Sequence, residues 1–104
     1  MSIKNYTLEN LSTDNVISLG NTGWSDPSVG TWDSNLKTGT LITDITTTIE
    51  IINDDITLDG NNHKISQCNN GVSVSGKNSI IIRNLIFETH FNDIVMVNSN
   101  NSQI

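Results

Sequence analysis

The sequence predicts an all-β fold wound as a solenoid, with about two and a half coils of roughly 22–24 residues each behind a non-repeating N-terminal cap. Three observations carry this. The 104 residues include no alanine, and Glu, Lys and Arg total 8, whereas Ile, Val and Thr total 33, so residues that favour extended backbone far outnumber good helix formers. Apolar and polar residues alternate over three to five positions, as in Ile49-Glu50-Ile51 and Val72-Ser73-Val74, which turns one side of each segment to a core and the other to water. Finally, three such patterns recur in fixed order at a near-constant interval, the mark of a repeat architecture.

Residues 1–37 break the period and form the expected cap. They hold the single proline (Pro27), three glycines (Gly20, Gly23, Gly30) and both tryptophans. Within them Tyr6-Thr7-Leu8-Glu9-Asn10-Leu11 fits either a strand or one short helical turn, residues 13–20 read as extended, and 21–36 as an irregular loop. Residues 38–104 form the coils, and cap and coils make one structural domain. The first pattern places Ile42, Ile65 and Phe87 at successive intervals of 23 and 22. The second repeats Ile49 and Ile51 as Val72 and Val74, then as Val95 and Val97, with a constant interval of 23. The third runs from Ile56 and Leu58 to Ile80 and Ile82, then to Ile104, with an interval of 24. Between the second and third patterns lie Asn53-Asp54-Asp55, Gly76-Lys77-Asn78 and Ser99-Asn100-Asn101, residue types that tolerate the left-handed backbone of a sharp corner. Parallel stacking of equivalent strands would make apolar ladders, each buried Ile, Leu or Val contributing roughly 1.5–3 kcal/mol before chain entropy is charged against it. Handedness is not written in the spacing, and a left-handed coil or a small β-sandwich stays open.

The stretch Ile56-Thr57-Leu58-Asp59-Gly60-Asn61-Asn62-His63-Lys64-Ile65, followed by Asn78-Ser79-Ile80-Ile81-Ile82-Arg83-Asn84-Leu85, resembles the opening coils of right-handed parallel β-helix proteins of the pectin-lyase-like superfamily, over about residues 38–104. The resemblance implies a right-handed coil and, for His63, a structural role bonding turn backbone. It implies no single activity, because such coils serve lyases, hydrolases, epimerases, tailspikes, adhesins and accessory proteins alike.

Charge and composition remove several functions. Eleven acids against five bases give a net charge of −6, and Lys4, Lys37, Lys64, Lys77 and Arg83 are scattered, which argues against a nucleic-acid partner. No apolar run approaches the roughly 20 residues of a membrane-spanning helix, and Met1-Ser2-Ile3-Lys4-Asn5 does not open a signal peptide. Extracellular or particle-surface placement is favoured by the architecture alone. Cys68 is the single cysteine, expected as a buried thiol.

No residue is expected to be catalytic, and no metal or cofactor is expected. Polysaccharide-cleaving β-helices use clustered acids on neighbouring coils, and Asp54-Asp55 superficially resembles such a pair. The two fall in a turn, where a solvated corner is the simpler reading. Arg83 lies one full interval of the third pattern beyond Asp59 and is expected to face it as a surface ion pair. Glu88, His90 and Asp93 share a loop without metal-ligand spacing. Trp24 and Trp32, with Asp26 and Asp33, form the candidate glycan-binding loop, since indoles stack on sugar faces while acids grip hydroxyls; the same indoles also suit the end of a core. Asn5-Tyr6-Thr7, Asn10-Leu11-Ser12 and Asn100-Asn101-Ser102 match the glycosylation pattern, without weight in so Asn-rich a chain. The chain ends as another coil begins, so Val95, Val97 and Ile104 are expected at an open edge.

The favoured function is a non-catalytic structural or assembly module of a fibre, appendage or surface protein, pairing with another copy or with further coils. Two readings stand beside it: a carbohydrate-binding module, and the N-terminal fragment of a polysaccharide lyase or hydrolase.

Overall fold

Eleven strands of two to six residues make up the regular structure of residues 15–99 and 102–104, the parts that the computed structural model describes. In chain order they are β1 (Val16–Gly20), β2 (Gly23–Trp24), β3 (Gly30–Asp33), β4 (Thr38–Leu41), β5 (Thr48–Ile51), β6 (Thr57–Asp59), β7 (Lys64–Ser66), β8 (Asn70–Ser75), β9 (Ile81–Arg83), β10 (Ile86–Glu88) and β11 (Asn92–Val97). A 3-10 turn at Pro27–Val29 separates β2 from β3. The strands form three sheets, ordered β11-β8-β5-β1-β2, β3-β4-β6-β9 and β10-β7.

This corrects the expected short right-handed parallel β-helix with an N-terminal cap. The fold is all-β, but its sheets are of mixed direction: β1 pairs antiparallel with β2, and β3 antiparallel with β4, within sheets whose other pairings are parallel. The cause is local. Asn21 and Thr22 turn β1 back on itself so that Gly20 faces Gly23 and Leu19 faces Trp24. Residues 34–37 do the same for β3, where Asp33 Oδ1 accepts from the N–H groups of Asn35 and Leu36 and Lys37 takes φ 50°. The segment 21–36, expected as an irregular loop, therefore carries β2 and β3, both built into the sheets, with the 3-10 turn between them. Residues 16–20 are extended as expected, and Tyr6–Leu11 lies outside the described residues.

The periodic spacing is expressed as the register of the parallel pairings. Ile49 and Ile51 lie beside Val72 and Val74, Leu58 beside Ile82, and Ile65 beside Phe87, as the three intervals predict. Two ladder members differ. Ile45, rather than the exposed Ile42, bridges to Ile65. Ile94 and Met96, rather than Val95 and Val97, continue the line from Val72 and Val74. The core so formed contains Leu19, Leu41, Ile49, Ile56, Leu58, Ile65, Val72 and Ile80, all fully buried.

Between strands the backbone turns at residues with positive φ, and Asn supplies half of these non-glycine corners: Asn61, Asn62, Asn84 and Asn98 join Lys37, Asp55, Gln67 and Ser79. A short polar side chain tolerates this conformation better than a branched or bulky one. Four of the sixteen asparagines serve these corners.

Candidate assembly surface

One end of the molecule presents a partly open apolar layer. β11, β10 and β9 are each the last strand of their sheet. The inward side chains of the layer beneath them, Leu58, Ile65, Val72 and Val74, are at most 1% exposed. In the end layer Ile82, beside Leu58, is closed off as well, whereas Leu85, Phe87, Ile94 and Met96 pack against the core yet stay only partly buried. Leaving such side chains half-wet forgoes a share of the roughly 1.5–3 kcal/mol that complete burial of each would contribute. Gln103 partly covers β9, its N–H donating to Ile80 O at 2.8 Å and its carbonyl accepting from Ile82 N at 2.9 Å. No strand among the described residues pairs with the outer side of β11.

The orientation of that outer side follows from one contact. Gly76 N donates to Val97 O at 2.7 Å, so the main chain of Val97 faces β8. Peptide groups alternate along a strand, hence Asp93 and Val95 also bond toward β8, while Ile94 and Met96 turn their N–H and C=O groups outward.

A polar column ends on the same strand. Thr48 Oγ1 donates to Asn70 O at 2.7 Å, and Asn92 Nδ2 donates to Asn70 Oδ1 at 2.9 Å. Asn92 Oδ1 is buried and has no hydrogen-bond partner among the described residues. Beside it opens a cleft of about 260 Å³ lined by Thr89, Phe91, Asn92, Asp93 and Ile94. Asp93 Oδ1 accepts from Thr89 Oγ1 at 2.8 Å on its rim.

Of the residues expected at an open edge, Val97 is 48% and Ile104 75% exposed, and Val95 is half-buried on the face away from the core. Val95 and Val97 lie on β11, the last strand of the five-stranded sheet. The residues presenting its core face are Ile94 and Met96, and the match of Asn92 to Asn70 is the signal that identifies them.

The tryptophan loop does not assemble as a sugar platform. Trp24 is buried, its Nε1–H donates to Thr31 O at 2.9 Å, and its ring lies so close to Gly30 that a Cβ there would collide with it, while one at Gly39 would strike Leu19 and crowd the ring. Trp32 is half-buried against the core. Asp26 caps the 3-10 turn: the Ser28 hydroxyl at 2.6 Å and N–H at 3.0 Å both donate to Oδ1 and hold its carboxyl below the usual range. Asp33 serves its own turn. Asp26 also lines a shallow cleft of about 240 Å³ with Asp44, Thr43, Thr46 and Ile17, away from either indole face.

The remaining candidates occupy separate places. Asp54 Oδ1 accepts from Asn78 N at 2.9 Å, and Asp55 sits at a corner with φ 62°. His63 Nδ1 lies 3.1 Å from Asp44 Oδ1, so its side-chain partner is a carboxylate where turn backbone was expected. The Lys64 N–H first and His63 second keep Asp44 below the usual carboxyl range. Arg83 Nε lies 3.2 Å from Asp59 Oδ2, the ion pair foreseen from the spacing. Burial pushes Asp59 up, but the Asn61 N–H, the Asn84 amide and Arg83 together outweigh it and hold the carboxyl low. Glu88 pairs with Lys64 at 3.4 Å, away from Asp93, and no group of three or more His, Cys, Asp or Glu side chains converges among the described residues. Cys68 is buried as expected. Asn5, Asn10 and the Asn100-Asn101 pair lie outside the described residues. No helix is long and apolar enough to cross a membrane among those residues.

Scans against protein-family models, curated proteins and solved structures find no match to this chain.

Proposed function

We propose that the chain is a non-catalytic structural and assembly module that pairs with a second copy of itself through edge strand β11 and the apolar end layer beside it. The carrying observation is the contrast between two successive layers: Ile65, Val72 and Val74 are closed off from water, whereas Phe87, Ile94 and Met96 above them remain partly open at a sheet edge whose outer side no described strand pairs. A flat, largely apolar edge is a template for another strand. Covering it gives the outward peptide groups partners and dries the half-wet side chains.

Light scattering coupled to size-exclusion chromatography tests this over a wide concentration range. The wild-type mass is expected to rise from 11.4 kDa toward twice that value. Met96→Lys, which places a charge on the edge, is expected to stay monomeric with β-sheet circular dichroism retained. A wild-type monomer at millimolar concentration would sink the proposal.

A further inference from the structure

We infer that two copies join β11 to β11 antiparallel in a single register centred on Val95, with the side-chain amide of Asn98 of the partner subunit donating to the buried Asn92 Oδ1; this rests on the assembly reading above. At the opposite end, among the described residues, the sheets finish in β2, of two residues, and β3, of four, each antiparallel to its neighbour, so neither offers the six-residue β11 a parallel partner of its own length. The edge that matches β11 in length is β11 itself, which a two-fold axis brings together antiparallel.

Few registers satisfy that axis. Core-facing residues must oppose core-facing residues, because a slip of one position exchanges the two faces. The axis then passes through a residue and not between two. Centred on Ile94, it sets the buried acceptor of Asn92 against the thioether of Met96 of the partner subunit. Centred on Met96, it shortens the overlap to the last residues of the strand. Centred on Val95, it sets Ile94 against Met96 of the partner subunit on the core face, with the outward peptide groups of both forming the hydrogen-bonded pairs. On the other face Asp93 opposes Val97 of the partner subunit, which keeps the two carboxylates from meeting. At the ends Asn92 opposes Asn98 of the partner subunit, and the amide enters the cleft beside the unpaired Oδ1.

Val95 becomes a non-hydrogen-bonded pair with its own copy, where Cα atoms approach within disulfide range. Under mild oxidation Val95→Cys is expected to form a covalent dimer, while Ile94→Cys and Met96→Cys do not, and the buried Cys68 leaves the wild type unlinked. In analytical ultracentrifugation Asn98→Gly, which removes the amide and keeps the positive φ of that corner, is expected to weaken the dimer about 3- to 10-fold, the effect of one hydrogen bond, with the monomer's thermal midpoint little changed. A dimer that Val95→Cys fails to link, or whose affinity ignores Asn98→Gly, overturns this register and leaves the pairing standing. A wild type that never dimerises overturns the pairing itself.

Discussion

Asp59 and Arg83 stand directly opposite one another on β6 and β9, with Arg83 Nε 3.2 Å from Asp59 Oδ2. The guanidinium side chain is 54% exposed, so the pair is screened and removing it by Arg83→Ala should cost well under about 1 kcal/mol. Asp59 is also held by the Asn61 N–H and the Asn84 amide. Its carboxyl lies below the ordinary value, so the stability that it contributes is complete above roughly pH 4–5 and is lost as pH falls through the folded value. Side-chain NMR titration should place its midpoint below about 3.9, and higher in Arg83→Ala than in wild type. A wild-type midpoint at or above that value contradicts the assignment.

Gly71 should resist substitution. A Cβ there would come 2.5 Å from Asp93 O and 2.6 Å from the Phe87 ring, wedging β8 from β11. Gly71→Ala is expected to cost about 1–3 kcal/mol by overpacking, against at most about 0.5 kcal/mol for Ser75→Ala on the exposed end of the same strand. Urea denaturation reads both.

The position that completes the ladder to Ile65 is decided by a pair of truncations. Ile45→Ala removes a side chain 5% exposed and should cost about 2–4 kcal/mol, whereas Ile42→Ala, at 54% exposure, should change stability by no more than about 0.5 kcal/mol. Equal losses would mean that Ile42 also belongs to the core.

Dimerisation should strengthen with salt. Each copy carries a net charge of −6, and joining two opposes like charge. Screening shortens from about 30 Å at ~0.01 M to about 8 Å at ~0.15 M ionic strength. Affinity measured by ultracentrifugation should therefore rise across that range, and a fall would point to an interface held by ion pairs.

Much of the parallel register is legible in the sequence because side-chain alternation and interval coincide at isolated apolar pairs such as Ile49/Ile51 and Val72/Val74. The signal fails where it is degenerate. Ile94-Val95-Met96-Val97 is an unbroken apolar run, so alternation alone does not say which residues face inward. The polar match of Asn92 to Asn70 does say it, and it shifts the pairing by one position from the expected interval. Ile42 and Ile45, two isoleucines near one corner, are ambiguous for the same reason. The antiparallel pairs β1–β2 and β3–β4 leave no periodic trace at all, since a hairpin is written in turn chemistry and not in spacing. Of the candidate surface, the extended apolar segment holding Val95 and Val97 is visible in the sequence. The unpaired amide oxygen depends on three-dimensional neighbours and is not.

Trp24 lies on β2, at the opposite side of the five-stranded sheet from β11, enclosed by Gly30, Gly39 and its bond to Thr31. Trp32 belongs to β3, which likewise stands at the opposite side of its sheet from β9. The two indoles thus form a built-in optical gauge on strands at the opposite side of their sheets from β11 and β9. Their emission should follow melting of the chain while staying silent when copies associate, so a single sample yields foldedness by fluorescence and association by mass, each uncontaminated by the other.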